Sequence, residues 1–109
     1  MVRIKVLPKA KAKIQEELVF ARSEYGSLAA KRWKVELDAF YKQVLTYPLS
    51  YAREPFLSGF MFPYRGAIIR KNFKLIYRFD VKSDIVIVVD LWDMRKDPRN
   101  LLRDRKSVV

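Results

Sequence analysis

The side chains best suited to chemistry gather where the most apolar stretch of the chain stops. In VVDLWDMRKDPRN, residues 88–100, an aliphatic run gives way after Leu91 to Asp93, Arg95, Lys96, Asp97 and Arg99. A second group, Arg65, Arg70, Lys71, Lys74 and Arg78, is spread through YRGAIIRKNFKLIYRFD. Guanidinium and ammonium groups fixed on a rigid frame bind phosphate oxygens without ordering long side chains at each encounter. The chemistry within their reach is binding of a polyanion. The chain has no His and no Cys. A plainer reading competes: Asp90, Asp93 and Asp97 could pair with Arg95 and Arg99 in a solvated salt-bridge network worth little.

Composition narrows the partners. At 109 residues the chain can bury one core and not two, so 1–109 reads as a single domain. Lys and Arg number 23 against 12 Asp and Glu, a formal charge of +11 that favours a polyanionic partner. The missing His and Cys remove His-based triads, thiol nucleophiles, disulfides and ordinary zinc sites together. No cofactor or metal is expected, and catalysis would rest on Lys, Arg, Tyr, Asp, Glu or water. The opening MVRIKVLPKAK has no signal-like apolar centre, and no apolar run approaches the roughly 18 residues of a membrane span. A cytoplasmic location without a membrane partner is expected.

Those charges need a frame, and the apolar pattern supplies one. Val2, Ile4 and Val6 alternate with Arg3 and Lys5, which predicts a short half-buried strand over 2–7. Pro8 stops it and suits the first turn of a helix. Ile14, Leu18, Ala21 and Tyr25 then recur at helical spacing, with Gly26 as the C-terminal cap. Ser27 is expected to cap a second helix whose stripe is Trp33, Leu37, Phe40 and Val44, with Tyr41 and Leu45 beside it and Pro48 at its end. So short a link predicts an antiparallel helix hairpin. Residues 47–63 carry prolines and a glycine but also Phe56, Leu57, Phe60, Met61 and Phe62, the pattern of an irregular segment packed on the domain. The apolar runs on either side of Lys71 and Asn72 predict a β-hairpin with those two residues as its turn. In that register Phe73, Leu75 and Tyr77 share the helix-covered face with Gly66 and Ile68. Lys74, Ile76 and Arg78 stand opposite Ile69, Ala67 and Arg65 on the other face, so three cations share it. DIVIVVDLW, apolar on both sides, belongs in the middle of the sheet and delivers Arg95 near Lys74.

This order of strand, helix hairpin, loop and three antiparallel strands, in a basic chain, resembles the RelE/ParE toxins of bacterial type II toxin-antitoxin modules. The local likeness lies in FLSG before the hairpin, in YRGAIIRKNFKLIYRF, and in the apolar strand leading to an arginine in VVDLWDMRKDP. It spans nearly the whole chain. The resemblance implies an α+β fold with an N-terminal strand, a two-helix hairpin and a three-stranded antiparallel sheet, and a growth-inhibiting toxin neutralised by a cognate antitoxin. Members similar to RelE cleave mRNA on the ribosome with basic residues and a tyrosine, without metal; members similar to ParE poison DNA gyrase. Carried over from the RelE-like site, Arg65 stands at the first of two lysines on the second strand, Lys74 at the phosphate-binding arginine of the third, and Arg95 at the arginine after the last. These three are the candidate catalytic residues, with Arg70, Lys71, Arg78, Lys96 and Arg99 as candidate nucleic-acid contacts. The chain departs from that pattern at Ala67, in place of the second lysine, and at Leu101, in place of the tyrosine. RNA cleavage by a RelE-like site would need a base for the 2′-oxygen, an acid for the 5′-oxygen and stabilised charge at the phosphate. Arg65 stays protonated and makes a poor base, which leaves Lys71, Tyr64 and Tyr77, the last expected to face the core. The resemblance thus implies ribosome-associated mRNA cleavage first and non-catalytic inhibition of DNA gyrase second. A basic nucleic-acid-binding module unrelated to toxins is the third expectation.

Overall fold

The computed structural model describes residues 1–96. β1 (Arg3–Val6) leads through Leu7 into α1 (Pro8–Tyr25), where Pro8 sits in the first turn and its missing N–H leaves no bond unmade. Gly26, at φ 91°, joins α1 to α2 (Ser27–Thr46): its N–H closes α1 on the Arg22 carbonyl, and its own carbonyl accepts from Ala30. Ser27 is therefore the first residue of α2 and not its cap, and no side chain caps that helix. Trp33, Leu37, Phe40 and Val44 are buried, as their spacing predicts, with Ala10, Ile14 and Ala21 of α1. Tyr25, expected on the α1 stripe, is exposed and stands edge-on to Phe20.

β2 (Arg65–Ile69), β3 (Phe73–Asp80) and β4 (Ile85–Asp93) form the expected antiparallel run. β1 joins them parallel to β4, which gives a four-stranded mixed sheet in the order β1-β4-β3-β2. β4 is internal, as its two-sided apolar sequence predicts. The helices cover one face, over Leu75, Tyr77, Val86, Val88 and Leu91. The irregular segment covers the other, setting Leu57 and Tyr64 on Ile76, Val89 and Trp92, with Phe56, Phe60 and Phe62 against that cluster. The β3–β4 register shifts between Ile76 and Tyr77, leaving Val89 as the extra residue of a β-bulge. Asp90, next in line, lies past the last β1 pair, Val6 with Val88, and is fully buried. Lys13 and Lys9 of α1 reach it at 2.9 and 3.3 Å, and the Trp92 indole N–H donates to it at 3.1 Å. Asp90 thus pins α1 to β4 and takes no part in a network with Arg95.

The β2–β3 hairpin departs from expectation by one residue. Ile69 pairs with Phe73 and Arg65 with Tyr77, so the turn is 70–72. Arg70 and Lys71 both adopt positive φ, 49° and 66°, a region that costs an L-residue about 1–2 kcal/mol. Glu36 of α2 offsets this by accepting the Arg70 N–H at 2.8 Å and its guanidinium at 2.6 Å. A one-residue slip turns every side chain over. Arg65, Ala67 and Ile69 therefore face the helices with Phe73, Leu75 and Tyr77, while Gly66 and Ile68 stand with Lys74 and Ile76 on the second face.

Candidate functional site

The candidate catalytic cations fall on both faces of the sheet. Lys74 lies on the second face between Ile68 and Trp92. Its ammonium is 2.7 Å from Glu54, and the two side chains are only 15% and 1% exposed. Glu54 belongs to a stretch that flanks the start of β2: its N–H donates to the Tyr64 carbonyl, and the Gly66 N–H donates to that of Ala52. Gly66 makes room for the pair, since a Cβ there would meet Lys74 Cδ at 2.6 Å and Glu54 Oε2 at 2.9 Å. The Lys74 charge is neutralised inside the fold.

Arg95 emerges at the same end of the sheet but on the helix side. Its Nε and Nη2 each donate to the Asp93 carboxylate at 3.0 Å, and its guanidinium lies 5.3 Å from the Phe73 ring. The Arg95 bonds hold the Asp93 carboxyl below its ordinary value and raise Arg95 in return. At 60% exposed, Arg95 keeps the rest of its five-donor fork toward solvent. A groove of about 230 Å³ runs from Arg95 to Arg70, lined by Ala21, Trp33 and Phe73 and by the exposed Phe20 and Tyr25. Arg70 is held by Glu36; burial pushes that carboxyl up, but the two Arg70 bonds outweigh burial and keep it below its ordinary value. Burial, then the neighbouring Asp93 charge, raises Glu17 on the same groove.

The remaining candidates lie elsewhere. Arg65 is also on the helix side, but four β2 positions from Ile69, about 13 Å along the strand, and donates to the Tyr51 carbonyl at 2.6 Å. Arg78 is on the second face, four positions from Lys74, with its guanidinium 4.0 Å over the Phe62 ring. Lys71 and Lys96 are exposed. Arg99, like Asp97 and Leu101, lies outside the described residues. Arg65, Lys74 and Arg95 therefore do not converge, and the three cations expected on one face are split by the hairpin register.

Candidate bases fare no better. Tyr77 faces the core as expected, donates to the Pro48 carbonyl at 2.9 Å, and burial pushes its hydroxyl up to about 12. Tyr64 is buried and likewise raised by burial. Neither is poised to take a proton near neutral pH. Among the described residues, no group of His, Cys, Asp and Glu is placed to hold a metal ion. Sequence reasoning missed Glu54 and Glu36, the carboxylates that engage Lys74 and Arg70. Gly66 carried the one available signal, because a glycine inside a strand marks a close approach.

A protein-family model described as the ParE toxin of the type II toxin-antitoxin system parDE matches residues 4–98. No curated protein matches the chain. Among the described residues, no helix is long and apolar enough to cross a membrane. The match runs from β1 past the end of β4, through the whole helix hairpin and sheet, and on that ground the chain belongs to the ParE toxin family of type II toxin-antitoxin systems.

Proposed function

We propose that this toxin arrests growth by binding and inhibiting DNA gyrase, and not by cleaving mRNA on the ribosome. The observation that supports this reading is the separation of Arg65, Lys74 and Arg95, with Lys74 closed in an ion pair with Glu54. RNA cleavage needs a base, an acid and a phosphate-stabilising cation within reach of one substrate. A buried lysine already matched by a carboxylate contributes little to that task. Inhibition by binding needs no base. Arg95, oriented by Asp93 and flanked by the exposed Phe20 and Tyr25, has the composition of an interface anchor, where arginine and aromatic side chains carry most of the energy. A cognate antitoxin would neutralise the toxin in the cytoplasm, where gyrase works.

The test pairs two reactions with the purified chain: supercoiling by gyrase, and cleavage of mRNA on programmed ribosomes. Lost supercoiling with intact mRNA is expected. Cut mRNA with unimpaired gyrase overturns the reading and restores the nuclease.

A further inference from the structure

The groove between Arg70 and Arg95 is lined by donors that nothing in the chain uses. Each guanidinium is held by one carboxylate: Glu36 accepts from Nη1 of Arg70 at 2.6 Å, and Asp93 accepts from Nε and Nη2 of Arg95 at 3.0 Å. The remaining N–H groups of both forks have no partner among the described residues. The Asn72 side-chain amide, on the same groove, is likewise unbonded among those residues. The floor between these donors is apolar. Trp33 and Phe73 meet edge-on with centroids 4.9 Å apart, and the exposed Phe20 and Tyr25 form a second edge-on pair at 6.2 Å.

A carboxylate accepts paired N–H groups from a guanidinium in one plane, and forks already oriented by Glu36 and Asp93 lose little freedom when it arrives. A nucleic-acid strand suits the groove poorly. Glu17 lines it, so the three carboxylates Glu17, Glu36 and Asp93 stand against the two guanidiniums, although the whole chain carries +11. A run of phosphates needs a row of unmatched cations, whereas a single carboxylate with apolar neighbours needs only the free donors and the rings. Glu17 is in no ion pair among the described residues, and the Asp93 charge beside it helps to raise its carboxyl above the ordinary value. It is the group that an incoming anion would meet unfavourably.

We propose that the groove between Arg70 and Arg95 receives an Asp or Glu side chain of gyrase, carried on a segment whose neighbouring aliphatic or aromatic residue packs on Phe20 and Tyr25. The inference rests on gyrase being the target and adds the chemistry of the contact. Affinity comes from the forks and the rings, and Glu17 opposes binding as a like charge at the edge of the site.

Glu17→Gln reads the sign of the charge that enters. With purified gyrase, the Kd for this variant and the concentration that halves supercoiling should both fall by about threefold or more, because a repelling carboxylate is gone and no donor is lost. Arg95→Lys keeps the charge but not the fork, and both quantities should rise by about tenfold. Both variants should melt close to wild type, since each changes a surface side chain. A photoreactive benzophenone side chain placed at position 20 should capture a gyrase peptide with Asp or Glu next to an aliphatic or aromatic residue. Weaker or unchanged gyrase binding by a folded Glu17→Gln protein overturns the proposal, as does a captured peptide without an acidic residue. Those results leave gyrase as the target and remove this contact alone. Wild-type toxin that neither binds nor inhibits gyrase overturns the gyrase reading itself, and this inference with it.

Discussion

Glu54–Lys74 and Asp93–Arg95 lie at one end of the same sheet, on opposite faces, at similar separations of 2.7 and 3.0 Å. Their surroundings set them apart. The first pair is 1% and 15% exposed, the second 19% and 60%. Taking two charges out of water is expensive, and the buried pair holds only while both partners are present. The exposed pair contributes at most about 1 kcal/mol, yet it fixes the guanidinium in place with donors still free. The two cations thus stand in different settings: Lys74 closes the second face, and Arg95 stands toward solvent.

Breaking the buried pair should have the largest effect. Lys74→Ala strands the Glu54 carboxylate and is expected to destabilise the fold by about 3–5 kcal/mol, measured as a shift in the denaturant midpoint. Gly66→Ala comes next, because its Cβ would press on both Lys74 and Glu54; a loss of about 1–3 kcal/mol is expected. An unchanged midpoint for Gly66→Ala would mean that the pair can move aside freely.

The core behind these pairs can be tested through Tyr77. Its folded pKa of about 12, raised by burial, exceeds the roughly 10 of an unfolded tyrosine. The fold favours the neutral phenol, so this contribution is whole below about pH 10 and is lost as pH rises through about 12. Melting temperatures stepped across that window should fall, and Tyr77→Phe should flatten the fall. The smallest change in stability belongs to Arg95→Ala, within about 1 kcal/mol of wild type. That variant should nonetheless lose growth arrest when induced in a bacterium, and a stable, fully toxic Arg95→Ala protein would reduce the exposed pair to a solvated strand end.

Much of the frame was legible because its signals are local. The Trp33, Leu37, Phe40 and Val44 stripe, the proline at the start of α1 and the two-sided apolar run of β4 each predict their element from neighbouring residues alone. The hairpin register was not legible in this way. It depends on Arg70 and Lys71 holding positive φ, and the group that stabilises Arg70 there is Glu36, far back in α2. One residue of slip moved Arg65 to the helix face and dissolved the cationic surface expected beside Lys74. Burial of Lys74 was hidden for a similar reason, since Glu54 sits in an irregular segment whose path no periodicity encodes.

The central claim is that toxicity comes from presenting Arg95 to a target protein and not from Lys74 holding a phosphate. The most direct measurement is growth arrest by a double variant, Lys74→Met with Glu54→Leu, alongside its melting curve. Replacing a buried ion pair with apolar residues of similar volume is often neutral or stabilising, so this protein should fold as well as wild type. The account predicts that it arrests growth as wild type does. A double variant that folds with undiminished stability and yet leaves growth unimpaired would contradict the account and return Lys74 to the chemistry.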